Sequence, residues 1–392
     1  MTGVRRPVIS ITDPEQDRYS RLRMIAWWDQ ERLSNARVMV VGAGALGNEV
    51  IKNLALLGVG KLIIVDFDAI DISNLSRSVL FRSSDAHHFK ADVAASAARE
   101  INPDLVAVPI VGEIGRDVGL GLVRRMDVVI GCVDSREARM DINRACWRVG
   151  RPWVDGGLSV LDGVVRVFRP PDSACYECTL SEHDYALMDF RYSCPPGAAL
   201  PAGGYPTTST AASIVAGMQV QEVVKLVHGL PVAAGEGVYY SGATMRIKHA
   251  AYVRREDCPA HLTWGPIVEL PYRVSDMTIG FLLDLTRSHS LVADREILTG
   301  YACQHCGGAE TAYRPYHKED LRLKCPRCGG QRLFDVAVSL GAGAAGIPLS
   351  QLGIPPLAVV ALRGGAGWQY VEFSGDRAAY PDFEAEPRET SG

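Results

Sequence analysis

Between Arg37 and Gly157 the chain alternates short apolar runs with longer stretches of helical character. The runs at 37–42, 61–66, 105–110, 127–132 and 152–157 are short and mostly apolar, four of them rich in Val, Ile or Leu, and read as buried parallel strands. Asn48–Leu57, Lys90–Ile101 and Arg136–Val149 lie between them and read as helices. Strands alternating with helices predict βαβ units and a mostly parallel sheet with flanking helices.

Beyond Gly157 the texture changes. Gly163–Phe168 reads as a strand on the far half of the sheet, and a loop rich in Pro and Gly runs from Asp189 to Pro206. Thr207–His228 predicts a long helix, with Val215, Met218, Val223 and Val227 available for its buried side. Val238–Tyr240 and Thr244–His249 read as a closing hairpin. A boundary follows near Gly265–Pro266. After it come one apolar helix (Met277–His289), a Cys-rich insert, and short strands near Leu333–Val338, Leu357–Leu362 and Trp368–Phe373. The expected organisation is an α/β domain over 1–265, a smaller domain over 266–375 with the insert at 300–332, and a polar, flexible tail over 376–392.

The formal net charge of −4 gives no global field favouring nucleic acid or anionic membrane. No run reaches the roughly 18 apolar residues of a membrane span, and Met1–Ser20 has no apolar stretch of a secretory leader, so a cytoplasmic protein is expected. Six of the ten cysteines form C-x-x-C pairs, which in a reducing compartment point to metal rather than to disulfides.

Gly42-Ala43-Gly44-Ala45-Leu46-Gly47 follows a strand and opens a helix. Glycines there let the backbone approach phosphate, and the helix N-terminus favours negative charge. Asp66 ends the next strand, where a carboxylate can hold ribose hydroxyls. These features suit NAD, FAD or ATP equally. Asp66-Phe67-Asp68, Ser73-Asn74-Leu75-Ser76-Arg77, Lys90 and Asp134 then add two cations, an amide and carboxylates at one end of the sheet. Attack on a triphosphate needs such cations, and Asp134 is placed to hold Mg²⁺. Singly, Lys90 reads as a surface lysine, Asp134 as a helix cap, and Arg18 and Arg21 as solvated charges.

The order GxGxxG, VDFD, SNLxR, Lys, and a strand followed by Asp resembles the ThiF/MoeB superfamily shared with ubiquitin-activating enzymes. The likeness runs from about Asp17 to His261 and includes Arg18-Tyr19-Ser20-Arg21 ahead of the first strand. It implies a Rossmann-like adenylation fold. It also implies ribose binding at Asp66, phosphate contacts from Asn74, Arg77 and Lys90, Mg²⁺ on Asp134, and Arg21 reaching the nucleotide of a second subunit in a homodimer. Ser78 stands where the family usually has Gln, and Ser135 where it often has Asn. In the same place the family carries a zinc site, here Cys175, Cys178, Cys258 and His261, with His261 replacing a Cys. Cys194, in a loop ahead of the long helix, sits where relatives carry a nucleophile for the activated carrier, and Arg191 stands close enough in sequence to lower its pKa. Cys132 and Cys146 read as core residues.

Cys303, Cys306, Cys325 and Cys328 form matched CxxCGG knuckles, a zinc-ribbon signal and the second of two expected zinc sites. His305 reads as an exposed spacer. Arg314, His317, Lys318, Arg322, Lys324 and Arg327 give this region a positive lean that reads first as a solvated face. The expected activity is ATP-dependent adenylation of the C-terminal carboxylate of a small ubiquitin-like protein, then a thioester on Cys194 and transfer to a conjugating enzyme. Activation of a sulfur-carrier protein is the alternative, and the appended ribbon tilts the reading toward conjugation. The family also adenylates peptides. Other classes are a nucleotide-sensing scaffold, disfavoured by the intact set of charges, and an NAD-dependent oxidoreductase.

Overall fold

In a computed structural model the described residues are 17–182, 184–185, 206–316, 321–365, 367–380 and 383. The first sheet has eight strands in the order β3-β2-β1-β4-β5-β6-β7-β8. β1 (Arg37–Val41), β2 (Lys61–Val65), β3 (Val106–Ile110), β4 (Val128–Gly131) and β5 (Trp153–Ser159) are parallel. β6 (Asp162–Phe168), β7 (Glu236–Ser241) and β8 (Arg246–Ala251) continue it antiparallel.

The period of two divides each parallel strand between two cores. Val38, Val40, Leu62 and Ile64 face α2 (Ala45–Leu57), α3 (Lys90–Ile101) and α6 (Ser209–His228). Met39, Val41, Ile63 and Val65 face α4 (Leu120–Arg124), α5 (Arg136–Val149) and part of the C-terminal region. A short α1 (Gln30–Asn35) precedes the sheet. Of the positions expected on the buried side of α6, Val215 and Val223 are fully enclosed, while Met218 and Val227 pack at the margin of the core.

The C-terminal region builds a second sheet, β11-β10-β13-β14-β9, with β12 on the other side of β10. Its strands are β9 (Ile267–Leu270), β10 (Ser288–Cys303), β11 (Ala309–Pro315), β12 (Arg332–Leu340), β13 (Val359–Gly364) and β14 (Gly367–Phe373). The apolar helix is shorter than expected. α7 covers Ile279–Thr286 because Arg287 takes φ 53°, and the chain passes directly into the long β10. The tail expected from 376 is anchored at its start. Ser374–Ala379 forms a 3-10 turn, Asp376 accepts from the amides of Val274 and Leu357, and Phe383 is enclosed beneath Lys61, whose Nζ donates to its carbonyl at 2.7 Å.

Charges join the second sheet to the first. Glu372, 0% exposed, meets Arg125 at 2.7 Å and Arg124 at 3.1 Å, while Glu269 meets Arg124 and Arg377. β10 bulges between Val292 and Ile297. From that bulge Asp294 pairs with Arg148, and Arg295 donates to the Gly115 carbonyl. No helix among the described residues is long and apolar enough to cross a membrane.

Candidate functional site

β1 is the point where strand order reverses, since β2 follows on one side and β4 on the other. A crevice at the carboxyl ends of such strands is where open α/β sheets bind ligands. The glycine loop occupies it. Gly42 has φ 95°, and a Cβ there would lie 2.5 Å from the Cys132 carbonyl oxygen; a Cβ at Gly47 would meet the Gly42 carbonyl at 1.9 Å. Only glycine allows the β1–α2 turn to close this tightly. Asn48, wholly buried, braces it: its Nδ2 donates to the Ala43 and Gly44 carbonyls, and its Oδ1 accepts from the Leu80 amide.

Asp66 stands at the mouth of the loop. Its carboxylate accepts from the amides of Ala43 (2.7 Å) and Asp68 (2.8 Å), and burial raises its pKa above the usual carboxylate range. Lys90, first residue of α3, donates to Asp68 at 2.7 Å. Asn74 closes a 3-10 turn capped by Asp71, and Arg77 donates to the Ser73 carbonyl at 3.1 Å. The carboxyl edge therefore gathers Gly42, Gly44 and Gly47 on the β1–α2 connection and Asp66, Asp68, Asn74, Arg77 and Lys90 on the β2–α3 connection that follows it.

Asp134 follows β4 two residues after Cys132, whose carbonyl lies against Gly42. It is exposed and has no side-chain partner among the described residues, which leaves both oxygens free for a cation. Ser135 takes the helix-capping role, accepting from the Ala138 amide at 3.1 Å. Arg139 fixes the loop from behind, donating to the carbonyls on either side of Asp134: Val133 at 2.6 Å and Ser135 at 3.3 Å. Its counter-ion is Asp155, 0% exposed, held between Arg139 (2.9 Å) and Arg166 (2.8 Å). Gln219 of α6 donates to the Gly131 carbonyl at 3.0 Å in the same layer. Arg139, Asp155, Arg166 and Gln219 were not singled out from the sequence. The available signal was Asp155 itself, a carboxylate inside an otherwise buried run.

Arg21 lies elsewhere. Its neighbour Tyr19 packs against Gly58, at the C-terminus of α2, and accepts from Asn102, at the end of α3. Both points are on the amino edge of the sheet. The thirteen residues of α2 separate them from the glycine loop, about 20 Å. Arg21 is exposed there and does not reach the nucleotide crevice of its own chain.

Two cysteine clusters have the geometry of tetrahedral metal sites. Thiolates sharing one zinc with bonds near 2.3 Å stand about 3.8 Å apart. Cys175 lies 3.7 Å from Cys178 and 3.6 Å from Cys258, and Cys178 lies 3.3 Å from His261 Nε2. In the second cluster Cys303 is 3.6 Å from Cys328 and Cys306 3.8 Å from Cys325. Within each cluster all four ligand atoms fall within 4.8 Å of one another, far beyond the roughly 2.05 Å of a disulfide. Both donor sets fit zinc. The amides of Cys306 and His305 lower the Cys303 thiol pKa, and those of Arg327 and Cys328 lower that of Cys325, favouring the thiolates a metal needs. Cys146 is a core residue as expected. Cys132 packs at the margin of the core, and burial pushes both thiols up, away from reactivity. Cys194, Arg191, His317 and Lys318 lie outside the described residues.

Comparison with known proteins agrees with this architecture. The model of the ThiF family matches residues 17–260. The chain belongs to the ThiF family. It is 28% identical over 253 residues to the sulfur carrier protein ThiS adenylyltransferase of Escherichia coli, covering 64% of this chain and 96% of that protein. It is 30% identical over 255 residues to the SAMP-activating enzyme E1 of Haloferax volcanii, covering 64% and 90%. Against the adenylyltransferase and sulfurtransferase MOCS3 of Sus scrofa the identity is 32% over 242 residues, covering 61% and 50%. In fold it resembles the microcin C7 biosynthetic enzyme MccB of E. coli, with a TM-score of 0.52 at 22% identity, covering 63% of this chain and 75% of that one. As a ThiF-family member with relatives so named, the chain is an ATP-dependent adenylyltransferase.

Proposed function

We propose that this ThiF-family chain adenylates the C-terminal carboxylate of a small ubiquitin-like or sulfur-carrier protein. The observation that carries the reading is Asp134, partner-free among the described residues and braced from behind by Arg139, beside a glycine loop whose tight turn a side chain at Gly42 or Gly47 would break. The carrier carboxylate attacks the α-phosphorus of ATP. The bond from that phosphorus to the bridging oxygen breaks, giving acyl-adenylate and pyrophosphate. The glycine loop and the α2 N-terminus receive phosphate, Asp66 holds the ribose, and Arg77 and Lys90 balance charge as it shifts toward pyrophosphate. Mg²⁺ held by Asp134 would neutralise phosphate charge. Arg21, remote from its own crevice, would serve that of a second protomer, which makes the working unit a homodimer.

The ribbon inclines the sequence toward conjugation, but relatives named for both branches support sulfur-carrier activation at least as well. A thioester on Cys194 and handover to a conjugating enzyme are the finer form of the first branch. ATP–pyrophosphate exchange with a panel of carriers tests the common step. Carrier-dependent exchange should fall at least about a thousandfold in Asp134→Ala and survive Cys194→Ala. Absence of exchange with every carrier and peptide tried, despite ATP binding, would overturn the proposal in favour of a nucleotide-sensing scaffold.

A further inference from the structure

β12 is paired on one side only. β10 takes it along Leu291–Cys303, while β11 and β13 lie on the opposite side of β10. Along the outer edge of β12, the contacts among described residues are confined to its beginning. There the Arg332 amide donates to the Leu323 carbonyl at 2.8 Å, and Lys324 bridges to Gln331. From Leu333 onward no described strand covers that edge.

Long edge strands are ordinarily blunted by Lys, Pro or inward-pointing charge, because an unpaired row of amides and carbonyls recruits other chains. β12 lacks these devices. Leu333, Val336 and Val338 are 54%, 38% and 50% exposed, and Asp335 is the strand's one exposed charge. Leu333 falls on one face and Val336 and Val338 on the other, so both faces of the edge offer apolar contact. Lys324 stands where the edge begins, Arg322 two residues before it, and Arg327 over Gly308 at the adjoining ribbon tip, all exposed and without ion pairs to described residues. The nearby Glu310 is engaged by Arg332 at 2.5 Å and does not neutralise them.

We propose that the outer edge of β12 is a docking site for an extended, acidic segment of a partner protein. The segment adds a strand to β10–β12. Its main chain satisfies the edge, its alternate apolar side chains cover Val336 and Val338 on one face, and its carboxylates meet Arg322, Lys324 and Arg327. The Glu269/Glu372 cluster and the Asp294–Arg148 pair tie this sheet to the adenylation domain, so the docked segment is held in a fixed relation to the nucleotide crevice.

The test uses the full-length, zinc-loaded protein and labelled peptides matching the nine residues of β12 in length. One alternates Val with Glu and a second alternates Val with Lys. A third repeats the Glu peptide with alternate backbone nitrogens methylated. Fluorescence anisotropy should show the Glu peptide binding at least about tenfold more tightly than either control, more weakly at high salt, with amide exchange slowed at 333–339. Val336→Ser with Val338→Ser should weaken it about tenfold, and Lys324→Glu with Arg327→Glu should remove the preference for Glu over Lys, both with zinc content unchanged. Equal binding of the three peptides, or binding indifferent to both double variants, overturns the proposal. So does protection of the same amides by raising protein concentration alone, which assigns the edge to a second copy. Displacement of the peptide by a single-stranded DNA oligonucleotide at lower concentration than by unlabelled peptide assigns the cations to nucleic acid and also overturns it.

Discussion

The two cysteine clusters share a ligand geometry and differ in everything around it. Cys175 and Cys258 are buried in the core that α4 and α5 share with the sheet, His261 stacks on Trp147 at 5.0 Å, and Glu177 between the first pair is held by Nε and Nη2 of Arg144 at 2.8 Å. Cys306 and Cys328 stand exposed at the tip of a sheet, with glycines behind them and few apolar neighbours. The first cluster joins segments 83 residues apart in one core, whereas the second joins strand ends that already pair. An ion in the first would organise long-range structure, and one in the second a local turn.

Loss of a ligand should expose that difference most sharply. Cys258→Ser removes zinc energy of about 10 kcal/mol apparent, comparable to the whole stability of a domain. The expected result is an insoluble or molten chain without pyrophosphate exchange; a folded variant with wild-type melting would dissolve the distinction. Next in size is Arg139→Ala. It leaves Asp155 enclosed with Arg166 alone, a change of the kind that costs about 3–5 kcal/mol, and frees the carbonyls flanking Asp134. Calorimetry should show a large drop in Tm, with exchange reduced even at temperatures where the variant is fully folded. Cys325→Ser should be milder. Bound zinc should fall from two to one per chain, the main melting transition should stay in place, and exchange should remain within about twofold of wild type. Equal damage from Cys325→Ser and Cys258→Ser would show that the two clusters are one cooperative unit.

Asp66→Asn gives the smallest shift and one of opposite sign. Burial raises the Asp66 pKa, so ionised Asp66 costs folding stability; that stability is intact below the unfolded carboxylate pKa and is lost as pH rises through the folded one. Asparagine removes this loss and its Oδ1 still accepts from the Ala43 amide, while its Nδ2 faces the Asp68 amide and gives up that bond, which offsets part of the gain. At neutral pH Asp66→Asn should melt at or slightly above wild type while its apparent affinity for ATP falls. The melting difference should shrink toward pH 3. A variant less stable at neutral pH would show that the ionised carboxylate is a net structural asset.

Much of the first sheet was legible because strands buried on both faces leave an unbroken apolar run, as in β1 and β2. β10 was not. Its sequence carries Asp294, Arg295 and Glu296 mid-strand, where a bulge turns two of those charges toward the adenylation domain and destroys the period of two. The end of α7 was misjudged because its stop is a left-handed Arg287, a residue type that gives no turn signal. The anchored start of the tail was hidden among acidic residues, with Tyr380 and Phe383 its only apolar clues. At the candidate site, charged residues on the β2–α3 and β4–α5 connections could be read from order alone. The layer behind them could not, because the partners of Asp155 come from a helix and a neighbouring strand that only the fold brings together.

Tyr19 wedged beside Gly58 has a consequence for populations of molecules. If each crevice borrows its arginine from across the dimer, Arg21→Ala and Asp134→Ala are defects in different halves of the same composite centre. Two inactive preparations, unfolded and reassembled together in equal amounts, would form mixed pairs in about half of all dimers, each with one intact centre. About a quarter of wild-type activity would return from parents that have none, and two such alleles in one cell would complement each other.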